Sequence, residues 1–171
     1  MDATSSRSLL IAVDTNVLLD LAEEVEDVTD AMLVIRRRVR AAQFLMPPTV
    51  REELADEVFR PDDMEQGERA QRAFHLARTW RIQPIDLVET HHDLARRIDR
   101  RVRAVGLLAQ AEVNDGLILA EAALLNCSLL LTSDEHLRSI DFERLTLELQ
   151  SFHVMVPVMA TPREIVRKFF Q

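Results

Sequence analysis

Four acidic residues stand where the chain changes character. Asp14 follows the apolar run Ile11-Ala12-Val13 and precedes Thr15 and Asn16, and Glu53 comes soon after the Pro47-Pro48 pair. Asp115 follows Asn114 at the head of a long apolar stretch, and Asp134 closes Leu131-Thr132-Ser133. Carboxylates gathered in one place repel, at about 4 kcal/mol for two charges about 4 Å apart at an effective dielectric of about 20. A divalent cation relieves that repulsion. A donor set made of oxygens, with no His or Cys set beside it, selects a hard ion, Mg2+ or Mn2+, over zinc. Such an ion lowers the pKa of a water and steadies a phosphoryl oxygen during in-line displacement, which is the chemistry of phosphodiester hydrolysis.

Each acid also has a plainer reading. Asp14, Thr15 and Asn16 are all good helix N-caps, Glu53 and Asp115 suit the first turn of a helix, and Asp134 suits a capping box from Thr132 to Glu135. A cap accounts for one residue of the Asp14-Thr15-Asn16 ending, not for all three. Taken together, four acids at the ends of elements favour a shared site.

The elements that would carry them alternate. Short apolar runs at about 8–13, 44–46, 81–85, 128–132 and 152–157 read as strands, with longer helical patterns between them. That alternation predicts an α/β fold whose central, mainly parallel sheet has about five strands joined by right-handed helical crossovers. In such a sheet the carboxyl ends of neighbouring strands lie side by side, and helices leaving or approaching that edge bring first-turn residues into one crevice. Thr49 with Glu52 predicts a capping box after Pro47-Pro48, Thr161-Pro162 with Glu164 predicts another before the last helix, and Asn126 ends the helix that starts near Asp115.

Composition sets outer limits. A chain of 171 residues buries roughly two-thirds of its unfolded surface, enough for one domain, residues 1–171, without structural metal or disulfides. Cys127 is the only cysteine, which fits a reducing cytoplasm, and neither a membrane span nor an amino-terminal export signal is expected. The net charge is −8, yet the arginines cluster at Arg36, Arg37, Arg38 and Arg40 and again at Arg96, Arg97, Arg100, Arg101 and Arg103. Those clusters read either as solvated helix faces or as patches that hold phosphates on an acidic body, and the second is the expectation carried forward, because backbone contacts need charge and carry no base information.

Val13-Asp14-Thr15-Asn16-Val17, Glu53-Leu54, Asn114-Asp115-Gly116-Leu117-Ile118, Leu131-Thr132-Ser133-Asp134 and the closing Val156-Pro157 to Pro162 segment resemble, in this order, the PIN-domain ribonucleases. The resemblance implies a three-layer α/β/α sandwich in which Asp14, Glu53, Asp115 and Asp134 bind Mg2+ or Mn2+. It implies that Thr132 helps to order the site and that Asn16 orients a carboxylate or water. It also implies an RNA substrate and, as in small bacterial members, a homodimeric toxin restrained by an antitoxin protein. A stand-alone RNA-processing nuclease and a catalytically silent PIN-fold scaffold are the alternatives. Stretches 56–80 and 138–152 are longer than in compact members.

Rival sheet enzymes fit less well. Haloacid-dehalogenase-type phosphatases carry a second acid where this chain has Asn16, and both they and receiver domains need a late lysine; the one lysine, Lys168, lies in the terminal helix. His91, His92 and Asp93 read as a surface helix opened by Thr90 and Asp93. His136 lies close enough to Asp134 to touch substrate but reads as an exposed first-turn residue, Trp80 and Cys127 read as core, and Leu117, Ile118, Leu119, Leu124 and Leu125 as a buried helix face.

Overall fold

The strand that delivers Asp14 is central in the sheet, and its three inward positions are closed to solvent. In a computed structural model that describes residues 8–169, β1 (Leu10–Val13) is flanked by β2 (Gln43–Met46) and β4 (Leu129–Leu131), with β3 (Gln83–Pro84) and β5 (Val158–Ala160) outside them. The order is β3-β2-β1-β4-β5 and every pairing is parallel. Ile11, Ala12 and Val13 are fully buried, as expected for a parallel strand covered on both faces. The amino-terminal stretch that carries the export-signal expectation, residues 1–7, lies outside the described residues.

Helices cover both faces and complete a three-layer α/β/α fold. They are α1 (Thr15–Ala22), α2 (Glu26–Arg38), α3 (Pro48–Phe59), α4 (Met64–Thr79), α5 (Glu89–Ala104), α6 (Val113–Leu124), α7 (Glu135–Arg138), α8 (Phe142–Gln150) and α9 (Pro162–Phe169). The 56–80 stretch is the end of α3 with α4, and the 138–152 stretch contains α8. No helix among the described residues is long and apolar enough to cross a membrane. Connections run outward from β1 to β2 and β3, then return to β4 on its other side. The β1/β4 boundary is therefore the switch point where open parallel sheets place a ligand crevice.

Several sequence expectations shift. The fifth strand is not 152–157 but Val158–Ala160: pairing begins where the Val158 amide donates to the Ser128 carbonyl at 3.0 Å, and Pro157 before it has no N–H to offer. Trp80 is only partly buried, with the Arg36 guanidinium 5.0 Å from its ring centroid and a hydrogen bond from Arg36 to its carbonyl. Leu117 and Leu125 are likewise only partly buried, whereas Ile118, Leu119, Leu124 and Cys127 are core. Thr90 does not open α5, whose N-cap is Val88. The box at Thr161 and Glu164 does form, each side chain binding the other's backbone amide at 3.1 and 2.8 Å. Asn126 adopts the left-handed conformation, φ 56°, just past α6.

Thr49 does not cap α3. Its amide and hydroxyl both donate to the carboxylate of Glu121 on α6, at 3.0 and 2.7 Å. Both residues are buried, so this pair fixes the start of α3 against the middle of α6. Glu53 and Asp115 ride on those two helices. Replacing Glu121 with alanine strands two buried donors at about 1–3 kcal/mol each. The expected loss in a urea unfolding curve is therefore at least about 2 kcal/mol; an unchanged midpoint would show the pair to be dispensable.

A second tie sits beside Asp115. Asp99 and Arg103 on α5 form a bidentate pair, with both hydrogen bonds 2.7 Å long, and Asp99 packs directly on Gly116. A Cβ at Gly116 would overlap Asp99 Oδ1 and stand 3.0 Å from its Cγ. Helix propensity alone makes Gly116→Ala stabilising by about 1 kcal/mol, but overpacking against a pinned side chain costs roughly 1–3 kcal/mol. Gly116→Ala should therefore destabilise in chemical denaturation, and the penalty should vanish in an Asp99→Ala background.

Candidate active site

Asp14 leaves the end of β1 3 % exposed, and both of its oxygens are held. Oδ1 accepts from the Thr15 amide at 2.6 Å, which makes Asp14 the N-cap of α1, and Oδ2 accepts from the Thr132 hydroxyl at 2.6 Å. Thr132, fully buried at the end of β4, accepts in turn from the Asp134 amide at 3.0 Å. One hydroxyl thus couples two acids across the switch point. The box expected from Thr132 to Glu135 does not form, because that hydroxyl accepts from the amide of Asp134 rather than of Glu135, and Asp134 is the N-cap of α7. Asp134 itself caps α7, its Oδ1 accepting from the amides of His136 and Leu137 at 2.7 and 3.3 Å.

Glu53 comes from α3, one oxygen accepting from Asn114 Nδ2 at 2.7 Å and the other from the Thr15 hydroxyl. Asp115 comes from the first turn of α6, and its Oδ2 is buried without a hydrogen-bond partner. Asp14, Glu53, Asp115 and Asp134 line one crevice of about 290 Å³ with Thr15, Asn16, Leu19 and Glu57. Asn16 belongs to that lining, but its Oδ1 accepts from the Ser133 amide at 3.2 Å. It ties α1 to the turn carrying Asp134 through its oxygen, which leaves the Nδ2 donors for a carboxylate or water.

Burial and mutual repulsion show in the protonation of these groups. Desolvation pushes the Asp14 carboxyl from 3.8 up to about 6 against the pull of the Thr132 and Thr15 hydrogen bonds, with Glu53 and Asp134 adding repulsion. Asp115 is raised to about 7, again by desolvation first and then by Asp134, Asp14 and Glu112. Burial and like-charge repulsion raise these carboxyls, and a positive charge among them would relieve the repulsion and give the buried Asp115 oxygen a partner. Asp14, Glu53, Asp115 and Asp134 are suited to hold a divalent cation.

Further residues touch the acids or lie beside them. Thr15 and Asn114 grip Glu53, although each is adjacent in sequence to an acid and was legible only as a cap or a helix start. Glu57, one turn beyond Glu53, carries a second buried oxygen without a partner, and its carboxyl is raised by desolvation. Glu112 and His136 flank Asp115 on its other side: His136 Nδ1 lies 3.5 Å from Glu112, 3.8 Å from Asp115 and 3.6 Å from Asp134. An imidazole does stand beside the acids, contrary to the oxygen-only set read from sequence.

The arginine clusters do not line the crevice. Arg36 is stacked between Phe44 and Trp80, and α2 ends just before β2 begins, which puts Arg36–Arg38 at the opposite, amino edge of the sheet. Arg96, Arg101 and Arg103 pair with Asp93, Glu148 and Asp99. They brace α5 and its neighbours. Arg138, Arg163 and Arg167 line a separate groove of about 430 Å³ that includes Ser133 and Thr161, and Arg69 acts on Glu57 of the crevice lining.

A family model for the PIN domain matches residues 11–143. No curated protein sequence matches the chain significantly. Among solved structures, VapBC2 from Rickettsia felis, bound to a DNA fragment from its promoter, aligns with a TM-score of 0.62 at 15 % identity over 90 % of this chain and 98 % of that one. VapBC-1 from nontypeable Haemophilus influenzae aligns with a TM-score of 0.58 at 16 % identity, with the same two coverages, 90 % and 98 %.

The raised carboxyls have a direct thermodynamic consequence. Between about pH 4 and 7 the folded, metal-free chain retains protons on Asp14 and Asp115 that the unfolded chain has released. Those groups therefore make stability fall as pH rises through that window. Relief of a shift of about two units at Asp14 is worth about 3 kcal/mol. Asp14→Asn removes the charge and keeps an acceptor for the Thr15 amide, while its Nδ2 faces the Thr132 hydroxyl, which turns from donor to acceptor; in chelator its thermal midpoint at pH 8 should exceed that of wild type and vary less with pH. Parallel pH profiles for the two proteins would contradict this account.

Proposed function

The chain belongs to the PIN-domain family, whose members are generally nucleases, and from that premise we propose that it is a Mg2+- or Mn2+-dependent endoribonuclease acting as the toxin of a toxin–antitoxin pair. The observation that carries the proposal is the meeting of Asp14, Glu53, Asp115 and Asp134 in one crevice, with a buried Asp115 oxygen left unpartnered. A cation held there supplies Lewis-acid stabilisation of the scissile phosphate and a water acidic enough to attack at neutral pH.

The chain's own residues set the geometry. Thr132 and the Thr15 amide fix the rotamer of Asp14, Thr15 and Asn114 fix Glu53, and Asn16 holds the Ser133–Asp134 turn. In the separate groove Arg138 is already paired with Glu135 and Glu164, while Arg163 and Arg167 make no ion pair among the described residues. We assign Arg163 and Arg167 to phosphates flanking the cut. Phosphate contacts of this kind position a strand without reading its bases.

Two VapBC structures with the same fold support an antitoxin as partner. The acidic crevice, together with Asp20, Asp27 and Glu135 of the separate groove, suits a basic segment of such a protein. A homodimer is the assembly proposed for the free toxin.

Cleavage mapping on total cellular RNA with Mn2+ tests the assignment. Wild type should produce discrete fragments, and Asp14→Asn, with an unchanged circular dichroism spectrum, should cut about a thousandfold more slowly, a loss of about 4 kcal/mol in transition-state stabilisation. Cleavage that survives chelation, or that Asp14→Asn retains in full, would overturn the mechanism. Harmless expression without a partner protein would remove the toxin assignment and leave a stand-alone nuclease.

A further inference from the structure

Beside the crevice, Asp115 also belongs to a donor set of a different kind. Glu112 is the N-cap residue of α6, Asp115 lies in that helix's first turn, and His136 lies in the first turn of α7. A nitrogen or oxygen of each falls within 4.8 Å of both others. His136 Nδ1 is 3.5 Å from Glu112 Oε2 and 3.8 Å from Asp115 Oδ2. Two ligands on one ion at roughly 2.1 Å stand about 3.0–3.4 Å apart at angles of 90–109°. The two distances to the imidazole exceed that range by no more than a few tenths of an ångström, and the His136 side chain, 59 % exposed, is free to move toward the two carboxylates.

The backbone around these donors is fixed. Arg103 and Gln110 exchange hydrogen bonds of 2.9 Å with each other's carbonyls, which clamps the loop leading to Glu112. Asp134 anchors the turn of His136 through the His136 amide at 2.7 Å. The Asp115 Oδ2 that faces the imidazole is the buried oxygen without a hydrogen-bond partner.

Imidazole changes the chemistry of the position. Carboxylates alone suit Mg2+, whereas one nitrogen with two carboxylates favours borderline first-row ions, whose affinities rise through Co2+ and Ni2+ and for which imidazole is a preferred ligand. We propose that His136, Glu112 and Asp115 form a second cation position, beside the acid crevice, that takes a borderline transition-metal ion in preference to Mg2+. The proposal rests on the reading of the four acids as a cation site only in sharing Asp115 with it. Glu53 belongs to the first position alone, and His136 and Glu112 to the second.

That division allows separate tests. The purified full chain is titrated with Co2+, followed by its visible absorption, and with Mg2+, followed by calorimetry. Wild type should bind a Co2+ whose absorption reports nitrogen ligation. His136→Ala, at an exposed residue, should lose that band and weaken this Co2+ by more than about a hundredfold, beyond the roughly 10–100-fold that loss of a supporting contact costs, while its Mg2+ isotherm stays as in wild type. Glu112→Gln should weaken the same ion, and Glu53→Gln should keep the band. Identical Co2+ titrations of wild type and His136→Ala would overturn the proposal and reduce His136 to a counter-charge for its acidic neighbours. Loss of the band in Glu53→Gln would overturn it too, by placing the ion among the four acids. If Glu53→Gln leaves Mg2+ binding untouched, the reading of the four acids fails while the His136 position stands.

Discussion

Charge crowded at low dielectric is the constraint on which this structure turns. A carboxylate taken out of water is costly by itself, and Asp14 is placed almost wholly inside, within reach of repulsion from Glu53 and Asp134. The chain answers by aiming donors at the acids. Thr15 gives its amide to Asp14 and its hydroxyl to Glu53, Thr132 gives its hydroxyl to Asp14, and Asn114 gives its amide group to Glu53. These contacts orient the carboxylates but do not neutralise them, which is why Asp14 and Asp115 remain raised. The residual demand for positive charge is the property that a cation would meet.

The scaffold has to resist that repulsion, and it does so through ties set back from the crevice. Glu121 and Thr49 join α6 to α3, Asp99 and Arg103 press on Gly116 from α5, and Asn16 holds the turn after β4. Each tie joins two elements that carry different acids, or fixes one such element against a neighbour. The Glu121 contact has a cost of its own, since burial raises its carboxyl to about 6 even with two donors from Thr49. A buried polar link of this sort is weak evidence for stability, whereas its geometric role in placing α3 against α6 is explicit.

The order of elements and the positions of Asp14, Glu53, Asp115 and Asp134 were legible in the chain because they follow from local rules. A buried parallel strand is apolar to its last residue, and polar residues after it fall at the ligand edge. Contacts that depend on which elements meet were not legible. Thr49 carried the signature of a capping box, but Glu121, 72 residues away, competed for its donors and won. His136 looked like an exposed helix-start residue because nothing local shows that Glu112, at the mouth of another helix, lies 3.5 Å from it. The arginine runs misled for the same reason: density along the chain says nothing about which edge of the sheet receives it, and Arg36 faces Trp80 rather than the acids.

Cap and ligand are compatible roles for the same carboxylate, although from sequence they look like alternatives. An ionised carboxylate offers about four lone-pair directions. In Asp14 the Thr15 amide and the Thr132 hydroxyl take one on each oxygen, and directions remain for a cation. In Asp134 both capping bonds fall on Oδ1, while Oδ2 accepts no hydrogen bond among the described residues. Capping therefore fixes the rotamer and leaves donor capacity directed at the crevice, so the backbone amides that start α1 and α7 also hold the acids in place. The Asp14-Thr15-Asn16 sequence follows from that economy: the acid caps and faces the crevice, the hydroxyl reaches Glu53, and the amide oxygen holds the turn that presents Asp134.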